Sequence, residues 1–121
     1  MYLANRPGQL ATLTRQLSDA GVNIEALAAF SEGEMGVVRL MADDDEATRR
    51  VLANAGLSYD EHRVVATIVP NRPGALAGLT ESLAETGVNI DAMYLLHTNG
   101  DSMQFAIAVN DPEAAHQSLA L

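Results

Sequence analysis

Residues 5–26 of this chain return as residues 71–92, with 14 of 22 positions identical. Asn5-Arg6-Pro7-Gly8 becomes Asn71-Arg72-Pro73-Gly74, and Gly21-Val22-Asn23-Ile24 becomes Gly87-Val88-Asn89-Ile90. A period of this kind means one supersecondary unit used twice, and it constrains the architecture before any single element is read. Each copy has about 60 residues, a size at which a domain buries only roughly 60% of the surface its unfolded chain exposes. Fusion of two marginal units lets them share stabilisation. The boundary is read between His62 and Arg63, giving modules 1–62 and 63–121.

The same elements follow in each copy. In the second, Arg63 to Pro70 is a β-branched run that reads as a buried strand. Pro73 is expected at the start of a helix, where its missing N–H is not needed. Leu76, Leu79 and Leu83 form one apolar stripe at helical spacing, and Gly87 is a left-handed stop. The first copy matches with Pro7, Leu10, Leu13, Leu17 and Gly21.

Two hairpins come next. Asn23–Phe30 is predicted to pair with Met35–Ala42, and Asn89–His97 with the strand after Thr98-Asn99-Gly100-Asp101, whose Asn-Gly pair favours a tight turn. Met103, Phe105, Ile107 and Val109 alternate with Gln104, Ala106 and Ala108, the period of a strand with one covered face. Second helices open at an N-cap aspartate: Asp111 before Pro112, and one of Asp43, Asp44 or Asp45. A closing strand is expected around Leu57–His62, whereas the second copy ends at Leu121 where its own closing strand would begin. Either another chain completes that edge or the strand is lost. The order β-α-β-β-α-β, with both helices on one face of an antiparallel sheet, is the ferredoxin-like α+β arrangement. That fold hosts many functions and names none.

Composition removes several function classes. Sixteen acids against seven bases give a net charge of −9, which repels a phosphate backbone and disfavours anionic membranes. No cysteine is present, so disulfides and thiolate metal sites are excluded. No apolar run approaches the length of a membrane span. Met1–Pro7 lacks the basic and apolar regions of a signal peptide, and a cytoplasmic location is expected.

The repeated Asn-Arg-Pro-Gly lies between a strand end and a helix start. Unpaired N–H groups and the positive dipole end at such a corner can receive a carboxylate. Gly8 or Gly74 admits a ligand close to the backbone, and Asn5 or Asn71 can both donate and accept toward a zwitterion. The plainer reading is a turn, with asparagine for the bend and Pro-Gly for the helix start. Asn23 and Asn89 open the following strand, where asparagine is disfavoured. They read either as strand-end caps or as a second amide facing the loop, within one module or across an interface.

Asn-Arg-Pro-Gly-x-Leu-x-x-Leu-Thr-x-x-Leu-x-x-x-Gly-Val-Asn-Ile, present twice, resembles the ACT domain, the amino-acid-binding regulatory module of metabolic enzymes. The resemblance covers nearly all of the chain, and its two-copy spacing is similar to small stand-alone tandem ACT proteins. In that family effectors bind at interfaces between domains, near the first strand–helix loop and the start of the second strand. The resemblance therefore implies Asn5, Arg6, Pro7, Gly8, Asn23 and Ile24 in one copy, and Asn71, Arg72, Pro73, Gly74, Asn89 and Ile90 in the other. Some serine-binding members place a histidine two residues before the loop asparagine. Leu3 and Val69 stand there instead, which argues against serine. Met35, Met93 and Leu95 are candidates to line an apolar pocket, or plain core.

No catalytic constellation is apparent, and no cofactor or metal site is expected. His62, His97 and His116 fall in unrelated elements, and Asp43-Asp44-Asp45 lacks the rest of a calcium loop. Three classes remain: an amino-acid sensor, a non-catalytic regulatory subunit of an amino-acid biosynthetic enzyme, and an RNA-binding module. The small subunit of acetolactate synthase has a similar Asn-x-Pro-Gly loop but departs in the second half. The RNA reading lacks an aromatic platform on a basic sheet, with two Phe, three Tyr and no Trp. A homodimer is expected, because a missing strand leaves an edge that another chain can pair.

Overall fold

The computed structural model describes residues 1–119. Ten elements follow in order: β1 (Tyr2–Ala4), α1 (Gln9–Asp19), β2 (Ile24–Glu32), β3 (Met35–Ala42), α2 (Asp45–Asn54), β4 (Val64–Pro70), α3 (Ala75–Glu85), β5 (Ile90–Asn99), β6 (Ser102–Val109) and α4 (Pro112–Leu119). They form two antiparallel three-stranded sheets, ordered β1-β3-β2 and β4-β6-β5. The chain divides into two compact units, Met1–Glu61 and His62–Leu121. This is the tandem α+β arrangement expected from the repeat, termed modules 1 and 2 below.

Each module covers one face of its sheet with both helices. In module 1, Leu3 of β1 and Val38 of β3 pack with Leu13 and Leu17 of α1 and with Ala47 and Leu52 of α2. In module 2, Val65, Val69, Phe105, Ile107 and Val109 meet Leu79 and Leu83 of α3 and Ala115 of α4. Leu17 and Leu83 are 0% exposed. These leucines sit where the helical stripe puts them, and the alternation of β6 delivers Phe105, Ile107 and Val109 to the same core.

Helix ends follow the local chemistry. In α1 the Gly21 N–H donates to the Ser18 carbonyl at 2.9 Å, and the Val22 N–H reaches back to Leu17 at 2.9 Å. Gly87 and Val88 repeat this against Ala84 and Leu83, both at 3.0 Å. This paired closure needs a left-handed residue and satisfies two orphan carbonyls. The N-cap of α2 is Asp44, whose carboxylate accepts from the Ala47 N–H at 3.0 Å. Asp111 caps α4 in the same way through the Ala114 N–H at 3.1 Å.

Four expectations are corrected. Pro7 and Pro73 do not open the helices, because Gly8 and Gly74 are the N-caps and each proline lies one residue earlier in the turn. Leu76 is 41% exposed and does not join the stripe of Leu79 and Leu83. The second hairpin turns at Gly100-Asp101 with Asn99 still in β5, and Gly100 holds the left-handed φ of 59°. Leu57–His62 forms no strand. Leu57 and Tyr59 pack against the module 1 core, so the inward alternation exists without a hydrogen-bonded partner. The expected closing strand after α4 lies outside the described residues.

Arg49 of α2 holds the Leu57–His62 segment through Glu61, with its Nη2 2.9 Å from Glu61 Oε1. The hydrogen bond from Arg49 is the main cause lowering the Glu61 pKa from its ordinary value of 4.5, with the guanidinium charge adding to it. The pair is exposed and its contribution is small. A depressed carboxyl stabilises above its unfolded pKa and loses that contribution as pH falls through the folded value. Glu61→Gln is expected to lower stability slightly at pH 7, with the difference shrinking in thermal melts as pH falls through the lowered Glu61 pKa, below the ordinary value of 4.5. Leu17→Ala and Leu83→Ala should each cost about 2–5 kcal/mol in urea unfolding, because each empties a fully buried leucine site.

Candidate functional site

The strand–helix corner of each module is built from backbone. In module 1 the Asn5 N–H donates to the Glu34 carbonyl at 2.8 Å, and the Arg6 N–H to Ala4 at 3.0 Å. Gly8 then turns the chain with φ 88° and ψ −13°, and Gly74 does so with φ 90° and ψ −16°. In module 2 the Asn71 N–H donates to the Asp101 carbonyl at 2.6 Å. Both corners are thus fastened to the tip of their own β-hairpin.

Asn5 also spends its side chain there, with Nδ2 donating to the Gly33 carbonyl at 3.2 Å. Its side-chain oxygen keeps its acceptor capacity. No side chain caps α1 or α3. Among the described residues, the backbone N–H groups of Leu10 and Ala11, and of Leu76 and Ala77, have no hydrogen-bond acceptor. Such first-turn donors, with the dipole behind them, favour an anionic group.

The module 1 corner borders a groove of about 250 Å³. Asn5, Arg6, Gln9 and Leu10 form one side, and Ala29, Phe30, Ser31, Gly36, Val37 and Val38 form the other, with Leu3 and Ala4 between. Arg6 is the only cationic side chain among these lining residues. The helix-facing floor is small where Leu3, Gly36 and Ser31 lie side by side and Val38 pairs with Ala29. Pro7 and Gly8 are not among its lining residues, and a Cβ placed on Gly8 meets no atom within 4 Å. A larger hollow of about 610 Å³ is lined by α1 residues from Ala11 to Ser18 alone, and a single wall brings no groups together.

Asn23 and Asn89 lie elsewhere. The Asn23 N–H donates to Asp43 Oδ1 at 2.9 Å, and the Asp43 N–H returns to the Asn23 carbonyl at 3.1 Å. Asn89 makes the same reciprocal pair with Asn110, at 2.9 and 3.2 Å. These pairs close the hairpin at the end opposite its tip. β2 runs nine residues from Ile24 to Glu32, a span of about 27 Å at the strand rise of about 3.4 Å per step. Within one module, therefore, Asn23 and Ile24 do not meet the Asn5–Gly8 corner, and the nearly identical layout of module 2 keeps Asn89 and Ile90 from Asn71–Gly74 likewise.

Met35 and Leu95 are exposed, Met93 packs against the module 2 core, and none of the three lines the groove. Gln9, Ala29, Phe30, Ser31 and Gly36 do line it, and sequence reading did not single them out. The signal for Ala29, Ser31 and Gly36 is the run of small residues on the helix-facing side of a hairpin, which has meaning only once register is known. Among the described residues, no group of three or more His, Asp or Glu side chains gathers as a metal site. No helix of the described residues is long and apolar enough to cross a membrane.

The ACT domain pair family matches residues 1–119, both corners included. The chain belongs to this family. An ACT domain pair is a regulatory, ligand-binding module. Among solved structures, protein BT0572 from Bacteroides thetaiotaomicron is similar with a TM-score of 0.88 and 26% identity, over 98% of this chain and 82% of that one. The regulatory subunit of aspartate kinase from Thermus thermophilus shares the fold with a TM-score of 0.68 and 18% identity, over 98% and 85%. That from Thermus flavus does so at 0.56 and 19%, over 98% and 85%. No curated protein matches the chain.

In this ACT domain pair the left-handed corner glycine is required by backbone conformation alone, since a side chain at Gly8 would have room. Gly8→Ala is expected to cost about 1–2 kcal/mol in chemical denaturation. Gly8→Asn should recover part of that loss, because asparagine tolerates the left-handed region better than alanine.

Proposed function

We propose that this protein is a non-catalytic regulatory sensor that binds an amino acid at the Asn5–Gly8 corner of module 1 and acts in the cytoplasm. The observation that carries this reading is the groove beside that corner. Unpaired first-turn donors and Arg6 suit a carboxylate, the Asn5 side-chain oxygen and Ser31 suit an ammonium, and Leu3, Leu10 and Val38 suit a carbon chain. Ligand pockets for drug-sized molecules run to roughly 300–1,000 Å³, so about 250 Å³ fits something smaller. Membership of the ACT domain pair family supports an effector in this role.

The separation of Asn23 from the corner bears on assembly. A ligand that touches both an Asn5–Gly8 corner and an Asn23–Ile24 strand start has to be shared with a second chain. A homodimer supplies that chain. In this reading effector binding and self-association are coupled, and each favours the other by the same factor.

A second reading is favoured by the fold neighbours, two of which are regulatory subunits of aspartate kinase. Here the protein would dock on a separate amino-acid biosynthetic enzyme and transmit effector occupancy to it. Copurification of a larger catalytic chain from the native host supports this version, and a self-contained dimer supports the first.

A thermal-shift screen over the twenty amino acids tests the shared core of both readings. An effector at about 100 times its Kd adds about 2.7 kcal/mol to stability, which in units this small raises Tm by roughly 10 °C or more. Arg6→Ala should weaken that shift at fixed ligand concentration. A flat screen, with sedimentation unchanged by every amino acid, removes the sensor function.

A further inference from the structure

We infer that the two modules are not equivalent receptors: each chain holds one amino-acid site, in module 1, for an effector with an aliphatic side chain, while the module 2 corner is structural. This rests on the reading of the module 1 groove as the effector site.

The repeat is broken at one place. Up to Ala29 and Leu95 the copies correspond at an offset of 66, with Ala29 paired to Val38 and Leu95 paired to Phe105. In module 1 the ladder continues at once with Phe30 opposite Val37. In module 2 the register shifts between Leu95 and His97, and His97 stands opposite Gln104. Leu96 is thus an inserted residue in a β-bulge, and from there the offset is 67. Bulges of this kind re-aim the side chains around them.

Following the ladders across that shift gives the counterpart of every floor position. Gly36 corresponds to Met103, Val38 to Phe105, Ala29 to Leu95, and Ser31 to Thr98. Each of these four is the smaller of its pair, whereas Leu3, the floor residue on β1, is larger than its counterpart Val69. Phe105 is buried and Met103 packs against the module 2 core, in the place where module 1 leaves its hollow. The consequence is visible at the helix. Leu10 packs against the core of module 1, whereas its counterpart Leu76 is 41% exposed.

The rim changes as well. Gln9 is replaced by Ala75, which packs against the core and offers no polar group. Module 2 keeps the fastened Asn-Arg-Pro-Gly turn, with larger side chains at the strand positions beside it. In module 1 the helix-facing walls that remain after Arg6 and Ser31 take the charged ends are Leu3, Leu10 and Val38, while Phe30, opposite Val37, is on the other face of the sheet. No acid is among its lining residues, so a cationic side chain finds no partner there. An aliphatic effector follows.

Equilibrium dialysis of the full chain against labelled L-valine, L-leucine, L-isoleucine and L-methionine tests this directly. The expected result is one equivalent of one of these per chain. Ala29→Leu, which copies the module 2 floor into module 1, should weaken binding at least tenfold while leaving the unliganded Tm within a few degrees. Gly36→Ala is the second variant, since a Cβ there meets the Leu3 carbonyl oxygen at 3.5 Å, an ordinary contact, and only narrows the floor. Two equivalents per chain, or unimpaired binding in both variants, overturns the single-site inference and leaves the sensor function standing. No binding by any of the twenty amino acids overturns both.

Discussion

The left-handed glycine at the strand–helix corner is the constraint on which each module depends. The chain must leave a sheet edge, reverse, and lay a helix back across the same face with its leucines at a fixed height. Gly8 and Gly74 make that reversal in one residue. The asparagine three positions earlier then anchors the corner to the hairpin tip through its own N–H. With that end held, and Gly21 or Gly87 closing the far end of the helix, Leu17 and Leu83 have nowhere to go but under the sheet. The core is a consequence of two corners.

The same anchor explains how, in the proposed function, a turn would also serve as a receptor. Tying the corner to the hairpin tip brings the first helical turn, with its unpaired donors, beside strand positions that carry small side chains in module 1. In the proposed site the polar groups come from the first helical turn, Asn5, Arg6 and Ser31, while the apolar groups come from Leu3, Leu10 and Val38. Neither set has meaning without the other. A chain with a net charge of −9 repels anions at long range, so a carboxylate ligand depends on this local arrangement of donors rather than on the field of the whole protein.

Duplication and divergence are visible in one chain. The corners, helix closures and aspartate caps are retained in both copies because each satisfies backbone groups that would otherwise be orphaned. The floor of the groove answers to no such demand. Substituting Met103 for a glycine, or Phe105 for a valine, improves burial in module 2 at the expense of a hollow. With one receptor per chain, as inferred above, filling the second corner would add packing without loss of function.

Much of this fold was legible in the residues. The repeat, the leucine stripes, the glycine stops and the aspartate caps are local signals whose physics acts over a few residues, and the element order follows from them. The family resemblance identified the corner as the place to look. What tertiary structure alone decided was adjacency. Leu57–His62 has the alternation of a strand but no partner, because pairing is a property of two segments and not of one. Asn23 lies at the opposite end of the hairpin from Asn5, although both belong to the repeated motif. The single inserted residue at Leu96 changes which side chains face the helix in module 2, and a linear alignment of the two motifs, which ends before it, carries no trace of that change. Sequence determines what each segment favours, whereas register determines which segments meet, and a binding groove exists only where they meet.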